Sequence, residues 1–376
     1  MPTAFAPRES HEASPSPEPV PSSVPSAPAP AASIARRVAQ LPSSPAEVGR
    51  ALGPLLDLAA TAVADLRAAP AARRTARRFG WLAAVTGHDV VLGKLFESHL
   101  DALAIAADLQ ADRALGRMPA GLWCVWAAEG AGGRSLTFAT RPDGSLRVTG
   151  RKQWCSGAPW AAGALVTGRD EADRRCMAAV ALQGPGVRVT DQGWNAVGMQ
   201  RTDSVDVEFD NAPGQPVGAP DAYLRRPGFW HGGAGIAACW HGGAAAVAHT
   251  LRTRLAAQGD AAAPHAAAHL GAIDAALAGS RALLQVAAQR IDAGRFGHRE
   301  ALQVRATTEA AATLVMDRCG RALGAPALCR DAAHAQRVAD LGVFLRQSHA
   351  EWDLAALGQL AAAAQAREEA EDAWAL

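Results

Sequence analysis

The chain has 376 residues, more than one hydrophobic core usually serves, so two or three packed units are expected. Hydrophobic residues make up 49% and charged residues 19%, and Lys plus Arg exceed Asp plus Glu by one, 37 against 36, a balance that argues against nucleic acid as a partner. The six cysteines show no CxxC spacing, no charge-free run of about 18 apolar residues occurs, and no basic stretch followed by an apolar core opens the chain, so we expect a cytoplasmic protein with free thiols, no zinc site and no membrane span.

Residues 1–32 are Pro, Ser, Ala and Glu with almost no aliphatic periodicity, a composition that predicts a disordered tail. A shortened helical N-terminal part is expected over 33–118. Its clearest helix is 88–110, where Leu92, Leu95, Phe96, His99 and Leu103 form one stripe. At Pro119 the pattern changes to short alternating runs, and 119–218 reads as a β-rich middle part, an antiparallel sheet or small barrel. Pro142-Asp143-Gly144-Ser145 marks a hairpin inside it.

From 219 to 376 the chain returns to Ala-rich helical spacing and reads as a four-helix bundle, with Gly259–Pro264 and Gly294–Gly297 as connections. The proline-free segment 333–366 predicts one long helix whose stripe is Val338, Leu341, Leu345, Trp352 and Ala356. On a wheel of about 100° per residue His349 falls in the middle of that stripe, Ser348 on its edge and Glu351 on its flank. A histidine so placed is a core residue or a catalyst, and Glu351, Arg346 and Asp353 read as solvated charges.

Three strings in order carry a resemblance. LWCVWAAEGAGGRS (122–135) resembles the first flavin-side motif of the acyl-CoA dehydrogenases, VTGRKQWCSGA (148–158) resembles their second, and VGMQRTDSVDVEFDNAPG (197–214) resembles the Gly-Met, strand and Pro that close their β-domain. DVVLGKLFESHLDALAI (89–105) is similar to the end of the family's helical front, and RVADLGVFLRQSHAEWDLAALG (337–358) stands in the place of its closing bundle helix. The resemblance covers about 80–360 and implies a helical front, a β middle and a helical rear. It also implies FAD between the last two, an acyl-CoA or similar thioester as substrate, an electron acceptor, and a homo-dimer or homo-tetramer in which a second subunit completes the flavin site.

By motif match Trp154 and Ser156 stand beside the isoalloxazine, and Ala127, Ala128, Gly132 and Gly133 supply backbone and space. A Trp covers a flavin face, a hydroxyl bonds the polar edge, and glycine lets backbone approach. Singly, Trp154 also reads as a core aromatic, Ser156 as a turn residue and the glycines as a plain hairpin; Arg201, Thr202 and Ser204 line the cleft or begin a strand.

In the family a carboxylate takes the proton beside the thioester carbonyl while hydride leaves the next carbon for the flavin. That glutamate lies eight residues beyond an Arg-Asp pair and precedes a glycine. Counting from Asp340 the place falls on Ser348, beside His349, and no Glu-Gly follows; Glu351 is one turn further on. The expected activity is therefore FAD-dependent α,β-dehydrogenation of an acyl thioester, with His349 and Glu351 as the catalytic candidates. The alternatives are a monooxygenase of the same fold that uses reduced flavin and dioxygen, or an oligomeric descendant without catalysis.

The segment 249–260 lacks the Arg-x-x-Phe-Gly that many members use near the cofactor, which leaves Arg252 and Arg254 as phosphate partners or plain surface charges. Arg73, Arg74, Arg77 and Arg78 form a basic face. His265 and His269 have the i, i+4 spacing of metal ligands without a third, and His231 and His241, each before two glycines, are weak candidates near the cleft.

Overall fold

The structure is a computed structural model that describes residues 30–111, 116, 119–129, 136–259 and 263–366. The expected tail lies almost wholly outside the described residues, as do Gly132 and Gly133. The front consists of α1 (Pro30–Val38), α2 (Val48–Ala68), α3 (Arg74–His88) and α4 (Val90–Asp108). Asp89 starts α4: its backbone is extended and its carboxylate accepts the Val91 and Leu92 N–H groups, two of the donors a helix leaves free at its start.

The single stripe expected on α4 understates its burial. Val90, Val91, Leu92, Leu95, Phe96, Leu100, Ala102 and Ile105 are all buried, because α4 is wedged between the other front helices and the sheet. It also covers a sheet edge. Ser98 Oγ accepts the Val125 N–H at 2.9 Å and His99 Nδ1 accepts the Trp123 N–H at 3.1 Å, so two donors of an edge strand are satisfied by helix side chains. His99 is thus a satisfied core histidine.

Among the described residues the middle part has seven strands: β1 (Leu122–Trp126), β2 (Leu136–Thr140), β3 (Leu146–Cys155), β4 (Ala161–Asp170), β5 (Arg175–Ala181), β6 (Val187–Val189) and β7 (Val205–Pro216). Strands β4, β2, β3, β7 and β5 pair in a closed circuit, with β1 added to β4 and β6 to β7. The expected hairpin is present: Thr140 pairs Leu146, Gly144 has φ +79°, and Asp143 accepts the Ser145 N–H at 3.0 Å.

The sheet is mixed rather than antiparallel throughout, because β1 and β2 both run parallel to β4 along one of its edges. Trp126 pairs Val166 and Leu136 pairs Gly168, so β1 and β2 lie in line along β4 with a gap opposite Thr167. Alternation could not reveal β4, since both of its faces are buried.

The rear consists of α5 (Gly228–Gln258), α6 (Pro264–Asp292), α7 (His298–Leu323), α8 (Ala332–Phe344) and α9 (Glu351–Ala366). Gly259 and Gly294, at the expected connections, have φ of +54° and +67°. Helices α5, α6 and α7 pack on one another, α8 lies on α5 and α9 on α7, while α3 from the front runs along α5. A Cβ on Gly242 would collide with the Ala83 backbone, which gives the His-Gly-Gly string at 241–243 a packing reason. Among the described residues only α6 is long and apolar enough to cross a membrane by length and composition. It packs in the rear through Ile273, Leu284, Ala287 and Ala288 and turns an Ala- and Gly-rich face outward.

The single helix expected over 333–366 is two. After α8 a 3₁₀ turn (Leu345–Gln347) leads to Ser348, whose backbone is extended; Ala350 has φ +46° and α9 starts at Glu351. The apolar stripe therefore ends at buried Leu345, and Trp352 is 84% exposed.

Candidate functional site

The third string, the start of the string at 89–105 and α8 meet at Arg201. Its guanidinium donates to the Asp89 carboxylate (Nη1 to Oδ2 3.0 Å), to Asp340 Oδ2 (Nη2, 3.2 Å) and to the Ala46 carbonyl (2.6 Å). Asp340 Oδ1 also accepts the Met199 N–H at 2.5 Å and Gln336 Nε2 at 2.8 Å. One cation thus ties the front, the β-domain loop and α8 together. Burial pushes Asp89 up, but Arg201 and the Leu92 and Ala46 N–H groups outweigh it and hold the carboxyl below its ordinary value. At Asp340 burial wins over Met199, Gln336 and Arg201, and the carboxyl lies above its ordinary value. A Cβ on Gly198 would collide with the Ala339 carbonyl, so the loop and α8 touch backbone to backbone.

The second string ends in a turn against this loop. The Gly157 N–H donates to the Thr202 carbonyl at 2.7 Å, and Trp126 Nε1 donates to the Ser156 carbonyl at 3.1 Å. Ser156 Oγ lies 2.7 Å from Ser204 Oγ, which lies 2.8 Å from Thr202 Oγ1. Trp154 has φ +57° and is 47% exposed: the backbone turns its indole out of the sheet, so it is not a core aromatic. Arg201, Thr202 and Ser204 belong to this turn region rather than to a strand interior.

The first string is anchored through Lys152, a buried residue the sequence reading passed over. Its Nζ donates to the Thr167 carbonyl at 3.0 Å and hydroxyl at 2.9 Å, and that hydroxyl donates to the Ala127 carbonyl at 3.3 Å. Burial pushes the Lys152 ammonium down, with Glu129 pulling against it. Ala127 is half-buried and Ala128 exposed. Ala127, Glu129 and Thr167 border a cavity of about 150 Å³ closed by Met177, Tyr223 and Leu224.

The α8–α9 loop presents the remaining candidates. Ser348 is half-buried and its Oγ accepts the Ala350 N–H at 3.1 Å. His349, expected inside an apolar stripe, is 76% exposed at its side chain, because the helix break turns it out; Glu351 is exposed as well. His349 Nδ1 lies 3.3 Å from Asp353 Oδ1, and Asp353 Oδ2 lies 3.7 Å from Arg305 Nε. Asp353 is therefore a mostly buried bridge rather than a solvated charge. Arg305 also donates to the Gln347 carbonyl at 3.3 Å and stacks 4.9 Å from the Trp240 ring centroid. Arg346 pairs with Glu309 at 2.9 Å.

Other candidates fall elsewhere. Arg77 pairs with Asp65 and Arg78 with Asp101, so the basic face is partly neutralised. Arg252 bonds His249 at 3.0 Å. His241 Nδ1 lies 3.1 Å from Ser280 Oγ inside the bundle, and His231 stands beside Phe296. Among the described residues no group of three metal-ligating side chains occurs, and His265 and His269 stay a pair.

No protein-family model matches the chain, and no curated protein matches it. Solved structures do. Nitrososynthase from Micromonospora carbonacea var. africana superposes with a TM-score of 0.69 at 20% identity, over 90% of this chain and 98% of that one. Dibenzothiophene monooxygenase from Paenibacillus sp. A11-2 gives 0.66 at 17%, over 88% and 93%. Butyryl-CoA dehydrogenase from Megasphaera elsdenii gives 0.67 at 13%, over 76% and 82%. The helical front, closed β-domain and helical rear of this chain are the acyl-CoA dehydrogenase-like fold.

Proposed function

We propose that the protein is a flavin-dependent oxidoreductase of the oxygenase kind, acting on a small organic substrate with reduced flavin and dioxygen. The observation that carries this reading is the α8–α9 loop. Where the dehydrogenase pattern asks for a carboxylate, the chain presents Ser348 and then His349, an exposed imidazole whose Nδ1 is held by Asp353. An imidazole so held can serve as a proton donor or acceptor, a role that hydroxylation calls for.

The residues present fit a flavin. Trp154 offers a half-exposed indole face, and Ser156 a hydroxyl on a pinned backbone two residues on. Bound and reduced, a flavin supplies the two electrons that activate dioxygen. The chain's own residues orient it and handle protons: Trp154 covers a ring face, Ser156 bonds the ring edge, Ala127 and Ala128 give backbone contacts, and His349 acts on substrate or oxygen. Arg252 turned to His249, and the missing Arg-x-x-Phe-Gly, leave no built phosphate contact for an adenylate half on α5. This favours FMN over the FAD of the sequence reading. FMN is also the flavin in the Paenibacillus enzyme's complex.

Acyl-CoA dehydrogenation is the second reading, favoured by the three β-domain strings and by exposed Glu351 at the start of α9. Its substrate would be an acyl thioester and its acceptor an external electron carrier. In either reading the protein is a homo-dimer or homo-tetramer: α6 leaves Ala267, Ala268, Gly271, Ala275, Gly279 and Val286 exposed on its outer side, a smooth face suited to another helix. The six unpaired thiols agree with a cytoplasmic location.

The test is a visible spectrum of the purified protein, followed by two additions. Anaerobic acyl-CoAs should leave bound flavin yellow, and reduced FMN with air and an aromatic or amine substrate panel should give oxygenated product. Bleaching by a thioester would replace the first reading with the second, and a colourless protein that takes up neither FMN nor FAD would overturn both.

A further inference from the structure

Two residues behind Ser156 have no role in either reading, yet they form the most tightly bonded polar chain in the β-domain loop. Thr202 is fully buried and Ser204 nearly so. Thr202 Oγ1 lies 2.6 Å from the Met199 carbonyl, 2.8 Å separates it from Ser204 Oγ, and 2.7 Å separates Ser204 Oγ from Ser156 Oγ. We propose that Thr202 and Ser204 are positioning residues, a hydroxyl relay that lets Ser156 donate to an oxidised flavin edge and accept from a reduced one. This rests on the flavin reading above.

Counting protons shows that both polarities are available. Directed inward, Ser156 donates to Ser204, Ser204 to Thr202 and Thr202 to the Met199 carbonyl; all internal contacts are made, and Ser156 faces the ligand with a lone pair. Directed outward, Thr202 donates to Ser204, Ser204 to Ser156, and Ser156 faces the ligand with a proton. The outward state withdraws one donor from the Met199 carbonyl. That oxygen keeps two others, the Thr202 N–H at 3.0 Å and Trp194 Nε1 at 3.1 Å, so no buried acceptor is stranded.

The polarity has a use because reduction of a flavin places a hydrogen on a ring nitrogen that was an acceptor before. A fixed donor would favour the oxidised ring and a fixed acceptor the reduced one. A chain that reverses by rotating three hydroxyls serves both without moving the backbone, which the Gly157 and Trp126 hydrogen bonds hold in place. Burial of Thr202 and Ser204 keeps water from substituting for either partner.

Truncation should unbalance the two states in one direction. In Thr202→Val, Ser204 loses its inner acceptor and donates outward, fixing Ser156 as a donor. In Ser204→Ala, the Ser156 proton has no inner acceptor and faces the ligand. Each variant should bind oxidised FMN as the wild type does and reduced FMN about tenfold more weakly, the worth of one hydrogen bond. The midpoint potential of the bound flavin should fall correspondingly, by about 30 mV for two electrons. Thr202→Ser and Ser204→Thr keep the hydroxyls and should restore the wild-type ratio. Anaerobic fluorescence titration of oxidised and reduced FMN against the full-length protein reads both constants without turnover, and circular dichroism selects folded variants. Equal effects on the two oxidation states, or Ser204→Thr behaving as Ser204→Ala, would overturn the relay alone. A wild-type protein that binds neither FMN nor FAD would overturn the flavin reading and the relay with it.

Discussion

In the oxygenase proposed above His349 handles the proton, and its partners decide how it is held. Asp353 accepts from Nδ1 when that nitrogen carries the proton, which leaves Nε2 as the acceptor nitrogen, and Arg305 holds Asp353 in place. Removing the imidazole by His349→Ala should lower turnover by about 10²-fold, the usual worth of a positioned general acid or base. Asp353→Asn keeps the shape but favours the wrong tautomer, and should lower turnover about tenfold while leaving FMN affinity unchanged. Steady-state oxygenation rates beside an FMN titration separate these effects; equal losses in rate and flavin affinity would make the pair structural. Sequence spacing led to His349 through the motif count, but not to Asp353 or Arg305. Asp353 looks like any exposed helix charge, and its contact with Arg305 joins segments 48 residues apart.

Elements were legible where one local signal was strong. Pro142-Asp143-Gly144-Ser145 specified its hairpin, Gly259 and Gly294 specified helix ends, and the stripe over 88–110 specified α4 within two residues at each end. Strand β4 was harder, because burial on both faces erases alternation, and the parallel pairing of β1 and β2 depends on a gap opposite Thr167 that no local pattern announces. The break after α8 did have a signal: Ser348-x-x-Glu351 has the spacing of a helix start, with Glu351 and Asp353 placed to favour the positive end of α9. The apolar stripe that ran on toward Trp352 concealed it. Because Ala350 is held at φ +46°, where an L-residue costs about 1 kcal/mol, Ala350→Gly should stabilise the protein by about 0.5–1 kcal/mol. A higher urea midpoint with an unchanged m-value checks this; a lower one would mean that the loop relies on the alanine methyl.

Across the whole molecule, one buried apolar cluster joins front, middle and rear, and Arg201 adds a buried polar tie among them. Arg201 faces Asp89 and Asp340, whose side chains are 0% and 2% exposed, so Arg201→Ala leaves two carboxylates without their cation and should cost about 3 kcal/mol in urea unfolding at pH 7. Arg201→Lys should recover only part of that, since an ammonium cannot span both acids and the Ala46 carbonyl. The histidines act in the opposite sense to a paired acid. Burial holds His99, His231, His241 and His334 below the ordinary imidazole value. In the unfolded chain they take up protons near pH 6.5, while folded they resist until lower pH. Between those values the unfolded state binds more protons, so stability rises with pH and is lost on acidification. Glu97, pushed up by burial, opposes this, but from an ordinary value about two units lower. The melting temperature should therefore fall by about 5 °C between pH 7.5 and 5.5, and His241→Gln, which keeps a polar group facing Ser280, should flatten the dependence. A melting temperature that is level or rises over that range would show that these histidines become protonated inside the fold, and that the His241–Ser280–Thr308 contacts between α5, α6 and α7 tolerate a charge.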